Sequence, residues 1–154
     1  MRTAIFPIKF KGFSKFFTII SLLTFATFIT KSCTSVPIEA TRLSRQWFLV
    51  EFEHYPKDFF AKNKIQLDLS PAKNQPRFSG FDGCNRLYFN AQTKNRSAIK
   101  FTDFRTGTKI CNGSFGEEFL QFLRQAKAYK TEGHTLILYD GNGRAMKFVA
   151  ADWD

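Results

Sequence analysis

The chain has 154 residues, 44% of them hydrophobic, with 23 Lys and Arg against 13 Asp and Glu, a formal charge of +10. That length suits one ordinary domain, and the hydrophobic content excludes a chain too polar to fold. The charge raises nucleic acid as a partner, yet from Cys33 onward 18 basic residues face 13 acidic ones with the signs interspersed, so no nucleic acid is expected.

Residues 1–32 read as a signal peptide. Arg2, Lys9, Lys11 and Lys15 precede a charge-free run, FFTIISLLTFATFI, from Phe16 to Ile29. A basic start followed by an apolar stretch is the pattern of an export signal. As a helix the run would be roughly 21 Å long, short of a bilayer span. It ends TKSCTS, and Ser32 directly before Cys33 resembles the lipobox of bacterial lipoproteins, although Lys31 and Thr30 depart from its usual residues. The resemblance implies a lipid on Cys33 and membrane attachment through it. Thr34, where an Asp would signal retention, implies an outer-membrane lipoprotein facing the periplasm. Residues 33–45 are polar and suit a tether, leaving 46–154 as one domain.

That domain alternates with period two, the spacing of half-buried strands. WFLVEF (47–52) places Trp47 and Leu49 on one face and Phe48, Val50 and Phe52 on the other. IQLDL (65–69), RFSGF (77–81), RLYFN (86–90) and AIKF (98–101) follow, with Asp82-Gly83 as a turn. TLILY (135–139) and RAMKFV (144–149) are joined by Asp140-Gly-Asn-Gly, residues that tolerate positive φ, and so predict a hairpin. Between them, SFGEEFLQFLRQAKAYK predicts an amphipathic helix of about four turns. Ser114 and Glu117 have capping-box spacing, and Phe119, Phe122, Leu123 and Ala126 form its apolar stripe. The expected fold is a small α+β domain, an antiparallel sheet or partly closed barrel packed by one α-helix.

Cysteine parity bears on chemistry. If Cys33 carries lipid, Cys84 and Cys111 remain, an even number in an oxidising compartment, which favours a disulfide over two buried thiols. Closing that loop would stabilise the fold by about 3.5 kcal/mol. A catalytic thiolate would need a base, and His54 and His134 stand in no nucleophile signature. The same four residues lack the close spacing of a zinc site. Asp140-Gly-Asn-Gly lacks the further carboxylates of a calcium loop, and Glu51, Glu53 and Asp58 near His54 read as a charged strand end. No cofactor motif is present.

Taken in order, Trp47 and Leu49, Ile65 and Leu67, Ser79-Gly-Phe-Asp-Gly-Cys-Asn85, Ile99 and Phe101, and Cys111 form a recognisable series. Glu118, Phe119 and Leu123 continue it, then Gly133, Leu136, Leu138, Gly143 and Phe148. The series resembles the META domain, typified by HslJ-type envelope proteins, and Gly83, Cys84 and Asn85 are its most specific part. NRLYFNA after that motif and GTKI before Cys111 depart from the usual family residues. The resemblance implies no known reaction, and a role in envelope stress or drug tolerance. The expected function is therefore a non-enzymatic envelope protein with a structural or interaction role, whose partner is an envelope protein. The alternative is a binding protein whose sheet or partly closed barrel holds a small apolar or amphipathic ligand.

Overall fold

Every period-two run becomes a strand, and all the strand pairs are antiparallel. The computed structural model describes residues 35–36, 42–70 and 77–153. The strands are β1 (Ser35–Val36), β2 (Gln46–Phe52), β3 (Gln66–Asp68), β4 (Phe78–Phe81), β5 (Arg86–Lys94) and β6 (Ala98–Thr106), then β7 (Ala126–Glu132), β8 (Thr135–Asp140) and β9 (Ala145–Ala150). Two helices interrupt them, α1 (Lys57–Asn63) after β2 and α2 (Phe115–Gln125) after β6. The order β5-β4-β3-β2-β9-β8-β7-β6 returns to β5 through a β5–β6 pairing, so eight strands close on themselves. β1 adds to the end of β5, with Ser35 opposite Lys94 and Val36 opposite Thr93.

This corrects the expected fold class. The domain is a closed antiparallel β-barrel, mostly β, and not an α+β sheet packed by one helix. Two local features hid the difference. The predicted helix stops at Gln125, and AKAYK, read as its last turn, is the start of β7. Ala126 and Tyr129, both buried, are three residues apart, which is a helical spacing. A bulge in β7 between Ala126 and Ala128 produces that spacing within a strand. The second feature is length: β5 and β6 run nine residues each, past the last alternating residue of either run. Their ladder survives a bulge because Asp103 takes a left-handed φ of 55°, and its carboxylate accepts from Asn90 Nδ2 at 2.7 Å and Thr102 Oγ1 at 3.2 Å.

A bulge also revises β2. Leu49 pairs with Phe148 and Glu51 with Lys147, leaving Val50 as the extra residue. The face therefore switches, and Phe52 joins Trp47 and Leu49 in the core instead of opposing them. The segment after it, read as a charged strand end, is helical: Pro56 precedes α1, Asp58 lies in its first turn, and Lys62 pairs with Asp58 one turn on at 3.1 Å. The capping box is absent. Ser114 Oγ accepts from no helix amide and instead donates to the Glu118 carboxylate, because Ser114 already has helical φ and ψ and its carbonyl accepts from Glu118 N–H at 3.1 Å.

An eight-stranded barrel is just wide enough for its own side chains to fill. Trp47, Leu67, Leu87, Phe89, Leu136 and Phe148 are all fully buried. Trp47 Nε1 donates to the Leu43 carbonyl at 3.0 Å, which satisfies the one polar atom of the largest core residue. The same cluster takes in Phe119, Phe122 and Leu123 of α2 and Phe60 of α1. Phe122 meets Phe52 edge-on, with ring centres 5.3 Å apart. Because α2 joins the strands through this face, Phe122→Ala should cost about 3–5 kcal/mol in denaturant unfolding. A loss under 1 kcal/mol would mean that α2 is not part of the core.

Candidate functional site

The stretch Asp82 to Asn85 ends the β4–β5 hairpin, and each of its side chains has a definite use. Asp82 Oδ1 accepts from the backbone amides of Cys84 at 2.8 Å and Asn85 at 2.6 Å, forming an Asx turn. Gly83 sits at φ 95° against Asn63 of α1, a conformation that strains any other residue and a spacing, 3.1 Å from a would-be Cβ to Asn63 Cβ, that would make the neighbour shift. Cys84 is joined to Cys111 as a disulfide, with Cα atoms 6.3 Å apart.

Asn85 does more than a local turn residue. Its Oδ1 accepts from Lys109 N–H at 3.0 Å, and its Nδ2 donates to the Lys109 carbonyl at 3.1 Å. One carboxamide thus pairs with both polar groups of a residue 24 positions away, as a neighbouring strand would. Nδ2 also lies 3.3 Å from Cys111 Sγ. Room for this comes from Gly107, where a Cβ would stand 2.6 Å from Asn85 Oδ1. Asn85 and the disulfide together bind the connection 107–114 to the β4–β5 turn.

That connection borders an open cleft of about 420 Å³. Phe59 and Asn63 of α1 and Phe115 and Leu120 of α2 form one wall, and the disulfide forms the rim. Ile110, between Asn85's partner and Cys111, is held fully exposed. Neither α1's contribution nor the glycine at 107 was anticipated from sequence. Pro56 followed by an Asp58/Lys62 pair is the signal that marks α1; the use of Gly107 emerges only once Asn85 is beside it.

Two polar clusters brace the helices. Tyr55 donates its hydroxyl to Glu118 at 3.0 Å, beside the Ser114 hydroxyl on the same oxygen. Burial, with Glu118 beside it, raises the Tyr55 pKa, whereas the Ser114 and Tyr55 hydroxyls hold Glu118 below its ordinary value against some burial. In the β8–β9 turn, Asp140 Oδ1 accepts from the amides of Asn142 at 2.8 Å and Arg144 at 2.9 Å, and Oδ2 from Arg144 Nε at 2.7 Å. Burial opposes ionisation of Asp140, but these donors outweigh it and the pKa is lowered. Arg144 continues to Gln125 Oε1 at 3.0 Å and lies over the Phe122 ring, tying the hairpin to α2.

The remaining predicted residues are dispersed. His54 stacks on Tyr55 and His134 on Trp153. Among the described residues no three of His, Cys, Asp and Glu converge as metal ligands would. Cys33, the expected lipid site, and the signal of residues 1–32 lie outside the described residues.

A family model described as the META domain matches residues 40–153. The NMR structure of a protein from Burkholderia xenovorans shares the fold with a TM-score of 0.58 at 20% identity, over 71% of this chain and 83% of that one. A second NMR structure gives a TM-score of 0.53 at 16% identity, over 71% and 91% of the two chains. No curated protein matches the sequence.

Two outcomes follow from the bracing. Cys84→Ser with Cys111→Ser should lose about 3.5 kcal/mol of stability in denaturant unfolding. Unchanged stability would show that the rim does not depend on the bond. Because Asp140 and Glu118 are both lowered on folding, the stability they provide is present above the ordinary carboxylate pKa and is lost as pH falls through their folded values. Asp140→Asn should therefore cost about 1–3 kcal/mol at pH 7 and flatten the acid side of the stability profile. An acid limb as steep as the parent's would remove Asp140 from that account.

Proposed function

The chain belongs to the META-domain family, and from that premise we propose that it is a non-catalytic, exported protein, anchored by lipid on Cys33, whose barrel serves as an interaction module in the bacterial envelope. The observation that carries this reading is the cystine at the cleft rim. Cys84 is half-buried and Cys111 exposed, so the bond persists only where thiols are not kept reduced. An export signal ending in Ser32-Cys33 leads to such a compartment and leaves just these two thiols to pair. An interaction role draws support from the rim itself. Ile110 is presented to solvent on a loop fixed at both ends by Asn85 and the disulfide, a preorganised apolar contact beside a cleft.

The ligand-binding alternative would be favoured by a Phe-lined cavity in the sheet or barrel. The inward side chains pack against one another, with Phe89 meeting Phe101 edge-on at 5.4 Å, and nothing in that packing favours it. A part in envelope stress or drug tolerance accords with the family resemblance and with a module that binds rather than reacts.

Intact-mass analysis of protein extracted from membranes tests the reading. The expected mature chain begins at Cys33, carries an added lipid mass and has no alkylatable thiol before reduction. Cys33→Ser should release the protein from the membrane fraction. A mature mass without lipid would overturn the anchor, and two free thiols at Cys84 and Cys111 would overturn the export argument.

A further inference from the structure

Closure of the barrel is uneven at one seam. β5 and β6 pair along their whole length, and β7 follows β8 from Ala126 to Glu132. Between β6 and β7 the ladder is the single position Ala98 opposite Ala128, supported by Tyr129 N–H to the Ser97 carbonyl at 2.7 Å. The strands part there for a covalent reason. Gln125 ends α2 and Ala126 opens β7, so backbone that would continue β7 alongside β6 is wound into the helix.

The fork is a cleft of about 520 Å³, separate from the disulfide rim. Lys100 enters it from β6, Arg124 from the last turn of α2, and Lys127 from the bulge of β7; Gly141 and Asn142 of the β8–β9 turn complete it. All three cations are exposed. Among the described residues none of the three has an ion-pair partner, a condition they share with most of the other cations, and no carboxylate lines the fork. The acid adjoining the turn, Asp140, is buried and already bonded to Arg144. One of the cations is also held in place, and another lies against the turn. Arg124 lies over the Phe104 ring at 5.7 Å, and Lys127 Nζ lies where a Cβ on Gly141 would meet it at 2.6 Å.

Arg124 has a second use, since a cation in the last turn offsets the negative end of the helix dipole. Lys100 and Lys127 come from strands and have no such duty. The dipole's roughly half a negative charge is outweighed by three full positive ones. Like charges gathered in a concavity repel unless an anion joins them, and one guanidinium with two ammonium groups supplies donors suited to phosphoryl oxygens.

We propose that the fork between β6 and β7 is a binding site for a phosphate-bearing anion. The charge count favours a multiply charged phosphoryl group over a single carboxylate, and the site is independent of the lipid on Cys33. The test uses full-length protein carrying Cys33→Ser in detergent micelles, titrated with pyrophosphate and followed by the amide resonances of Lys100, Lys127, Gly141 and Asn142. Saturable shifts should appear that sodium chloride at equal ionic strength does not reproduce. K100Q/R124Q/K127Q, three exposed changes, should weaken binding by about tenfold or more with its thermal midpoint retained. Lys62→Gln, on α1, should change nothing. Co-sedimentation with phosphatidylglycerol vesicles, lost in the triple variant, would assign the phosphate to a lipid headgroup; pyrophosphate binding without co-sedimentation would assign it to a soluble ligand. Shifts reproduced by chloride, or a triple variant that binds as the parent does, would overturn the proposal. If the triple variant does not fold, Lys127→Gln alone supplies the same comparison.

Discussion

An antiparallel sheet with an apolar inner face has two edges to satisfy, and here one strand disposes of both. β5 carries β4 beside its first residues and β1 beside its last on one side, and β6 along its length on the other. Without the β5–β6 ladder the same strands would form an open sheet with unpaired groups at each end, a template for unwanted association. The ladder in turn depends on Asp103, a non-glycine residue held at positive φ by its role in the bulge. Once the ring is closed its interior is too narrow to remain empty. Trp47, Phe89 and Phe148 occupy space that a larger barrel would leave to a ligand.

Most strands were legible because each buries one face, and alternation reports that directly. Closure was not legible, because it depends on residues whose pattern misleads. Ala126 and Tyr129 belong to a bulged strand but have the spacing of a helix. Phe52 changes face at Val50 for the same reason. Bulges are the means by which short strands curve into a small barrel, so period counting fails where curvature is introduced. α1 went unread for another reason: at seven residues it is too short to display an apolar stripe.

At the cleft rim the division is similar. The pairing of Cys84 with Cys111 was expected from parity and compartment, and the Asx-turn chemistry of Asp82 is local enough to be anticipated. The reach of Asn85 to Lys109 is a long-range fact with no local signature. Gly107, seen alone, is one more loop glycine; beside Asn85 it is the space that a carboxamide occupies. The β6–β7 fork could not be read at all, since Lys100, Arg124 and Lys127 come from three elements whose meeting depends on where α2 ends.

The disulfide has a consequence for how the chain reaches this fold. Cys84 and Cys111 flank β5 and β6, so the covalent ring they close, 27 residues apart in sequence, contains the whole hairpin on which closure depends. Contacts between distant residues are slow to form because the loop between them must first be gathered. In an oxidised chain that search is already restricted for β5 and β6, whose ends begin as neighbours. The pairing that seals the ring then becomes an early and local event. What remains for the later stage of folding is the meeting of β2 with β9, a register between the first long strand and the last.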